Sequence, residues 1–177
     1  MVVRHKRLQY KIKLEVSTSM EQQMNQMYPM IAEHVIDMIP DGNWHEIYLY
    51  AEILDGSRVV YFYFNTSENE DFIYSHDIPE KYKVSEEIYD NLLVELQNKF
   101  YDLRQIFIDN DQEPWTNLTL TLKYPGKIKI NYDYKDIINS AIFPTQRQMI
   151  FEYQHLGLLP HSEEDRQLIQ NYINNKG

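Results

Sequence analysis

The dipeptide Asp55-Gly56 stands between two extended apolar runs, and this arrangement restricts the fold more than any other feature of the chain. Ahead of it, Ile47, Leu49, Ala51 and Ile53 alternate with Tyr48, Tyr50 and Glu52, the pattern of a strand with one buried face. Behind it, the run from Val59 to Phe64 is apolar or aromatic on both faces, which predicts a strand central to a sheet. Two turn-forming residues between such runs are a strong short-range signal for a β-hairpin. A second hairpin is predicted around Pro125-Gly126. Leu118, Leu120 and Leu122 alternate with polar residues on one side, and Ile128, Ile130, Tyr132 and Tyr134 on the other.

Helical periodicity fills the remaining segments. Met24, Met27, Ile31, Val35 and Met38 recur every three or four residues until Pro40-Asp41-Gly42 stops them. Ser85 is a good N-cap, with Glu86 and Glu87 at the positive end of the helix dipole. The stripe Ile88, Leu92, Leu96, Phe100, Leu103 and Phe107 then predicts a long helix to about Ile108. A helix from Pro144 through His155 stops at Gly157, and a last one is capped by Ser162. Residues 65–71 read as a polar, acidic loop, and residues 72–79 as a short extended piece ending at Pro79. The predicted class is α+β, an antiparallel sheet built of two hairpins with helices packed on one face.

Charge divides the chain unequally. Overall, 27 acids oppose 17 bases, for a net charge of -10. Residues 1–18 run the other way, with Arg4, Lys6, Arg7, Lys11 and Lys13 against Glu15, so the other 159 residues hold 12 bases and 26 acids. The run from Leu8 to Val16 alternates and reads as an edge strand or as a translated leader. The leader reading is preferred, because Leu14-Glu15-Val16 is compatible with a ribosome-binding sequence just upstream of a Met20 start codon. Residues 1–19 are therefore expected to be a basic extension outside the fold, and residues 20–177 a single domain.

Few chemistries fit. With no cysteine there is no thiolate metal site and no cysteine nucleophile. The six histidines lack metal-ligand spacing, and no phosphate loop, nucleophile elbow or zinc-protease motif occurs. Ser75-His76-Asp77 has the letters of a triad, but adjacent residues of an extended segment point to opposite sides. No cofactor is expected. The acidity disfavours direct nucleic-acid binding, and no uncharged apolar run approaches the roughly 18 residues of a membrane span. Tyr48, Tyr50, Tyr61 and Tyr63 on the first hairpin are expected to pack between helix and sheet, the alternative being a protein-binding surface. The acidic clusters Glu68, Glu70, Asp71 and Asp109, Asp111, Glu113 are candidates for meeting a basic protein, with Trp115 beside the second either an anchor or a strand-start core residue.

Several stretches together resemble the YezG family of bacterial immunity proteins. They are Ile47-Tyr48-Leu49-Tyr50-Ala51-Glu52, Ile73-Tyr74-Ser75-His76-Asp77-Ile78-Pro79 and Pro114-Trp115-Thr116-Asn117-Leu118. Lys129-Ile130-Asn131-Tyr132-Asp133-Tyr134 and Arg147-Gln148-Met149-Ile150-Phe151-Glu152-Tyr153 continue the likeness in family order, from about Met20 to near the C-terminus. The resemblance implies a cytoplasmic antitoxin of Bacillus- and Staphylococcus-type bacteria. It would bind the C-terminal nuclease domain of an LXG-type toxin exported by type VII secretion. No catalytic residue is implied, and the reading is stoichiometric inhibition rather than catalysis. The rival readings are a small carboxylate-dependent hydrolase using Asp77 or Glu80, and an acidic protein-binding module without a toxin.

Overall fold

The computed structural model describes residues 19–174; the basic run before Ser19, with its alternating stretch, lies outside the described residues. Helix α1 spans Met20–Asp37. Its N-cap is Ser19, whose Oγ accepts the Gln22 amide at 3.2 Å while Gln22 Oε1 accepts the Ser19 amide at 3.0 Å. This capping box satisfies two backbone donors the helix leaves open, so the folded helix uses one residue the sequence boundary placed outside it.

Strands β1 (Glu46–Leu54) and β2 (Ser57–Asn65) form the first hairpin, with Leu54 opposite Ser57 and Gly56 at a φ of 91°. Only glycine takes that conformation at little cost. Strands β4 (Asn117–Lys123) and β5 (Lys127–Asp133) form the second, and a two-residue β3 (Ile73–Tyr74) pairs with the end of β2. The antiparallel order is β3-β2-β1-β4-β5. The strand at the centre is therefore β1 rather than β2. β2 is rich in apolar residues on both faces because both are covered, not because it is the middle strand.

One face of the sheet carries Ile47, Leu49 and Ile53 of β1, Phe62 and Phe64 of β2, and Leu118 and Leu120 of β4, all fully buried. The helices α1 and α3 (Glu86–Asp109) pack there, contributing Ile31, Val35, Leu96, Phe100 and Leu103. Ser85 caps α3 as predicted, its Oγ accepting the Ile88 amide. His34, 2.8 Å from the Leu92 carbonyl through Nε2, donates across the α1–α3 contact.

The opposite face is not left open. Tyr50, Tyr61 and Tyr63 form a second cluster with Phe151 of α4 (Pro144–Leu156), while α5 (Glu163–Asn174) packs against α4. The α+β antiparallel architecture of two hairpins stands, but helices lie on both sides of it. The extended piece at residues 72–79 is also shorter than expected. Ser75–Asp77 form a tight helical turn, and Pro79 sits in the first turn of the short helix α2 (Ile78–Tyr82), where its missing N–H costs nothing.

Leu96 is fully buried at the middle of the α3 stripe. Leu96→Ala is expected to cost about 2–5 kcal/mol in urea denaturation through lost contacts and the cavity left behind. A loss under about 0.5 kcal/mol would show that the stripe does not support the core.

Candidate functional site

The strand register locates the acidic clusters. The loop with Glu68, Glu70 and Asp71 leaves β2 at Asn65, which pairs with Glu46 at the start of β1. The segment with Asp109, Asp111 and Glu113 joins α3 to β4, and Asn117 of β4 pairs with Glu52 near the end of β1. Eight residue steps separate Glu46 from Leu54, about 27 Å at roughly 3.4 Å per residue. All six carboxylates are exposed, but the fold sets the two groups at opposite ends of the sheet. They are two patches, not one.

Local structure holds each in place. The Asp71 amide donates to Asn69 Oδ1 at 2.9 Å, and the Asn69 amide to Thr66 Oγ1 at 3.1 Å. Asp109 accepts from Gln105 Nε2 at 2.9 Å, and Asp111 adopts a left-handed φ of 54° just beyond the helix end. Of the two roles open to Trp115, the fold takes the core one and not the anchor. Its side chain is 0 % exposed, packed 5.9 Å from the ring of Tyr132, and its carbonyl accepts Arg104 Nε at 3.0 Å. A residue with no accessible surface cannot anchor a partner, so Trp115 belongs to the core.

Reading acids as loop clusters missed the larger field. Helices α1 and α3 carry nine acids between them, against Lys99 and Arg104. The solvated face of the second hairpin is basic instead, through Lys123, Lys127 and Lys129. Seven-residue spacing along α3 is the signal that finds the pattern on that helix.

A cleft of about 460 Å³ lies on the other face, lined by Tyr50, Asn117, Thr119, Arg147, Phe151 and His155 among others. Beside it is a buried ion pair. Arg147 of α4 grips Glu52 of β1 through Nε to Oε2 and Nη2 to Oε1, each 2.9 Å, and donates from Nη1 to the Ile142 carbonyl at 2.6 Å. Tyr50 OH adds a donor to Glu52 Oε2 at 2.9 Å. Next along the helix, Tyr63 OH donates to Glu152 Oε1 and accepts from Gln148 Nε2 at 2.7 Å. Both carboxylates are thus engaged in fastening α4 to the sheet.

Burial raises the phenols of Tyr50, Tyr61 and Tyr63 well above the ordinary tyrosine value, and the carboxylates of Glu52 and Glu152 add to it at Tyr50 and Tyr63 respectively. The hydroxyl of Tyr61 is buried with no hydrogen-bond partner. Burial likewise pushes Tyr89 up to about 12. These tyrosines pack between helix and sheet, as their spacing suggested.

Asp77 and Glu80, the carboxylates of the rival hydrolase reading, are exposed, and neither lines the large cleft. Among the described residues no group of three or more His, Asp or Glu is placed to hold a metal ion. No described helix is long and apolar enough to cross a membrane. Ser75 and His76 serve the open margin of β2 instead of each other. Ser75 Oγ accepts the Phe62 amide at 3.0 Å, and His76 Nε2 lies 3.3 Å from the Val60 carbonyl.

Comparison with known proteins places this architecture in context. A family model described as YezG-like immunity protein matches residues 24–170. The chain is 47 % identical over 150 residues to Immunity protein YezG of Bacillus spizizenii, covering 85 % of this chain and 92 % of that one. It is 45 % identical to Immunity protein YezG of Bacillus subtilis over 150 residues, covering 85 % and 99 %. A type VII secretion system protein of Staphylococcus aureus, EsaG, is 34 % identical over 143 residues, covering 81 % and 87 %.

Two measurements test the buried polar face. Arg147→Met leaves the Glu52 carboxylate buried with Tyr50 as its remaining donor, and is expected to cost about 3–5 kcal/mol in urea denaturation. Adding Glu52→Gln should recover part of that loss; a single variant as stable as wild type would mean the pair does not hold α4. The raised phenols favour the folded state while they stay neutral. Their contribution is complete below the unfolded value near pH 10 and falls as pH rises beyond it. Stability should decline above about pH 10, with the buried phenols ionising only as the chain unfolds; phenolate absorbance of all tyrosines before unfolding would contradict this.

Proposed function

The chain belongs to the YezG-like immunity protein family, and from that premise we propose that it is a cytoplasmic antitoxin that binds and neutralises the nuclease domain of a cognate LXG-type toxin. The family match across residues 24–170 carries the reading, and the charge distribution supports its mechanism. A nuclease grips phosphates, so the surface around its active site must be basic. An acidic partner is drawn to such a surface before contact, and like-charged wrong partners are repelled.

Inhibition by occupancy needs no catalytic group, which agrees with the engagement of Glu52 and Glu152 in structural bonds. A complex of this kind would bury on the order of 1,200–2,000 Å². Its affinity must be high, because a small free fraction of a nuclease damages the cell that makes it. The toxin-binding candidates that remain on the surface are Glu68, Glu70, Asp71, Asp109, Asp111 and Glu113.

Co-expression with the C-terminal nuclease domain of a candidate cognate LXG-type toxin gives the direct test: cells survive with the chain and die without it. Survival lost equally in both cases would end the reading. The electrostatic part is tested by amide replacement in two separate triples, Glu68, Glu70 and Asp71, then Asp109, Asp111 and Glu113. Wild type should associate faster at 0.01 M than at 0.15 M salt, since the Debye length shrinks from about 30 Å to about 8 Å. The triple nearer the docked toxin should lose much of that salt dependence while dissociation changes little. One shared association rate and salt slope for all three proteins would make these clusters ordinary solvated loops.

A further inference from the structure

The outer surface of α3 repeats every seven residues, and this repeat is more specific than net charge. Val94, Tyr101 and Ile108 form one column, exposed to 52 %, 40 % and 41 %. Glu95, Asp102 and Asp109 form another, all exposed. Asn91, Asn98 and Gln105 fill the strip between. Such columns drift only about 20° per heptad, so each is nearly straight over about 21 Å at roughly 1.5 Å per residue.

Neighbours fix which way the columns face. Glu95 lies 4.0 Å from His34, so the acidic column borders α1. Arg58 of the first hairpin sits 4.2 Å over the ring of Tyr101 and donates to Asn98, so the apolar column borders the sheet edge. Arg104 is turned away to the Trp115 carbonyl and Asp55. Helices α4 and α5 lie across the sheet, and apart from Arg58 over Tyr101 both columns are exposed.

We propose that this surface of α3 is a docking seam for a basic amphipathic helix of the toxin domain, a reading that rests on the proposed function. The chemistry selects the occupant. An apolar column buries against another apolar column, and an acidic column one strip away requires Lys or Arg along the partner's flank. This is how flanking charges set pairing in helix–helix seams. Antiparallel pairing with a second copy of the chain is disfavoured, because it would bring the acidic columns together.

Two triple variants probe the seam, each keeping good helix formers at exposed positions. One replaces Val94, Tyr101 and Ile108 by Gln; the other replaces Glu95, Asp102 and Asp109 by Lys. The probe is the purified C-terminal domain of the LXG-type toxin against which the chain protects in co-expression, with Ile138→Gln on the other side of the fold as control. The Gln triple should weaken Kd at least tenfold, chiefly by faster dissociation. The Lys triple should weaken it at least thirtyfold, chiefly by slower association, and the control should match wild type. Photo-crosslinkers placed singly at Val94 or Ile108 should capture the toxin domain, which covers the case of a misfolded triple. Variants that bind within threefold of wild type, or crosslinks to a second copy instead, would overturn the seam alone. A wild-type chain that does not bind the toxin domain would overturn the proposed function, and the seam with it.

Discussion

Burial of β1 on both of its faces is the constraint on which the rest depends. A strand flanked by β2 and β4 has its backbone groups paired on both sides, so its side chains must be matched by layers above and below. On one side Ile47, Leu49 and Ile53 face the apolar stripes of α1 and α3. On the other, Tyr50 and Glu52 face α4, and an aliphatic solution is not available. Glu52 is instead compensated by a bidentate guanidinium and a phenol, a pairing that tolerates little displacement of α4. The two layers therefore differ in kind: one is held by area, the other by geometry.

That division leaves the exterior free to carry charge. The acids lie on loops at both ends of the sheet and on the outer flanks of α1 and α3, where hydration makes them inexpensive. The lysines of the second hairpin stand on the solvated face of β5 and its partner, where charge also protects an open edge strand from unwanted pairing. For a family of immunity proteins, a rigid core beneath a sharply uneven field suits recognition by docking, since little ordering is required when the partner arrives.

Several elements were legible because local signals agreed. Asp55-Gly56 marked the hairpin, Ser85 marked the start of α3, and Gly157 ended α4 in the left-handed conformation its position requires. Trp115 could be read as anchor or as core, since a tryptophan beside an acidic break looks the same in sequence whether it points in or out. Residues 72–79 misled for a related reason: Pro79 can end a strand or open a helix, and Pro is favoured in a helix first turn. The centre of the sheet was misplaced because apolar richness reports burial of faces, while centrality is set by backbone pairing on two edges.

By itself the sequence determined the periodicities: two alternating hairpins, the helical stripes, the α+β class, and through family motifs the immunity relationship. These are properties of neighbouring residues, and neighbours in sequence are neighbours in space within a helix or strand. Only the tertiary structure decided that β1 is central, that α4 covers the second face, and that Glu52 meets Arg147 from 95 residues away. It alone separated the two acidic clusters to opposite ends of the sheet and put the α3 columns side by side in the open. Such facts depend on how strands order and how faces stack, and that ordering follows from burying every apolar surface at once, which no single segment encodes.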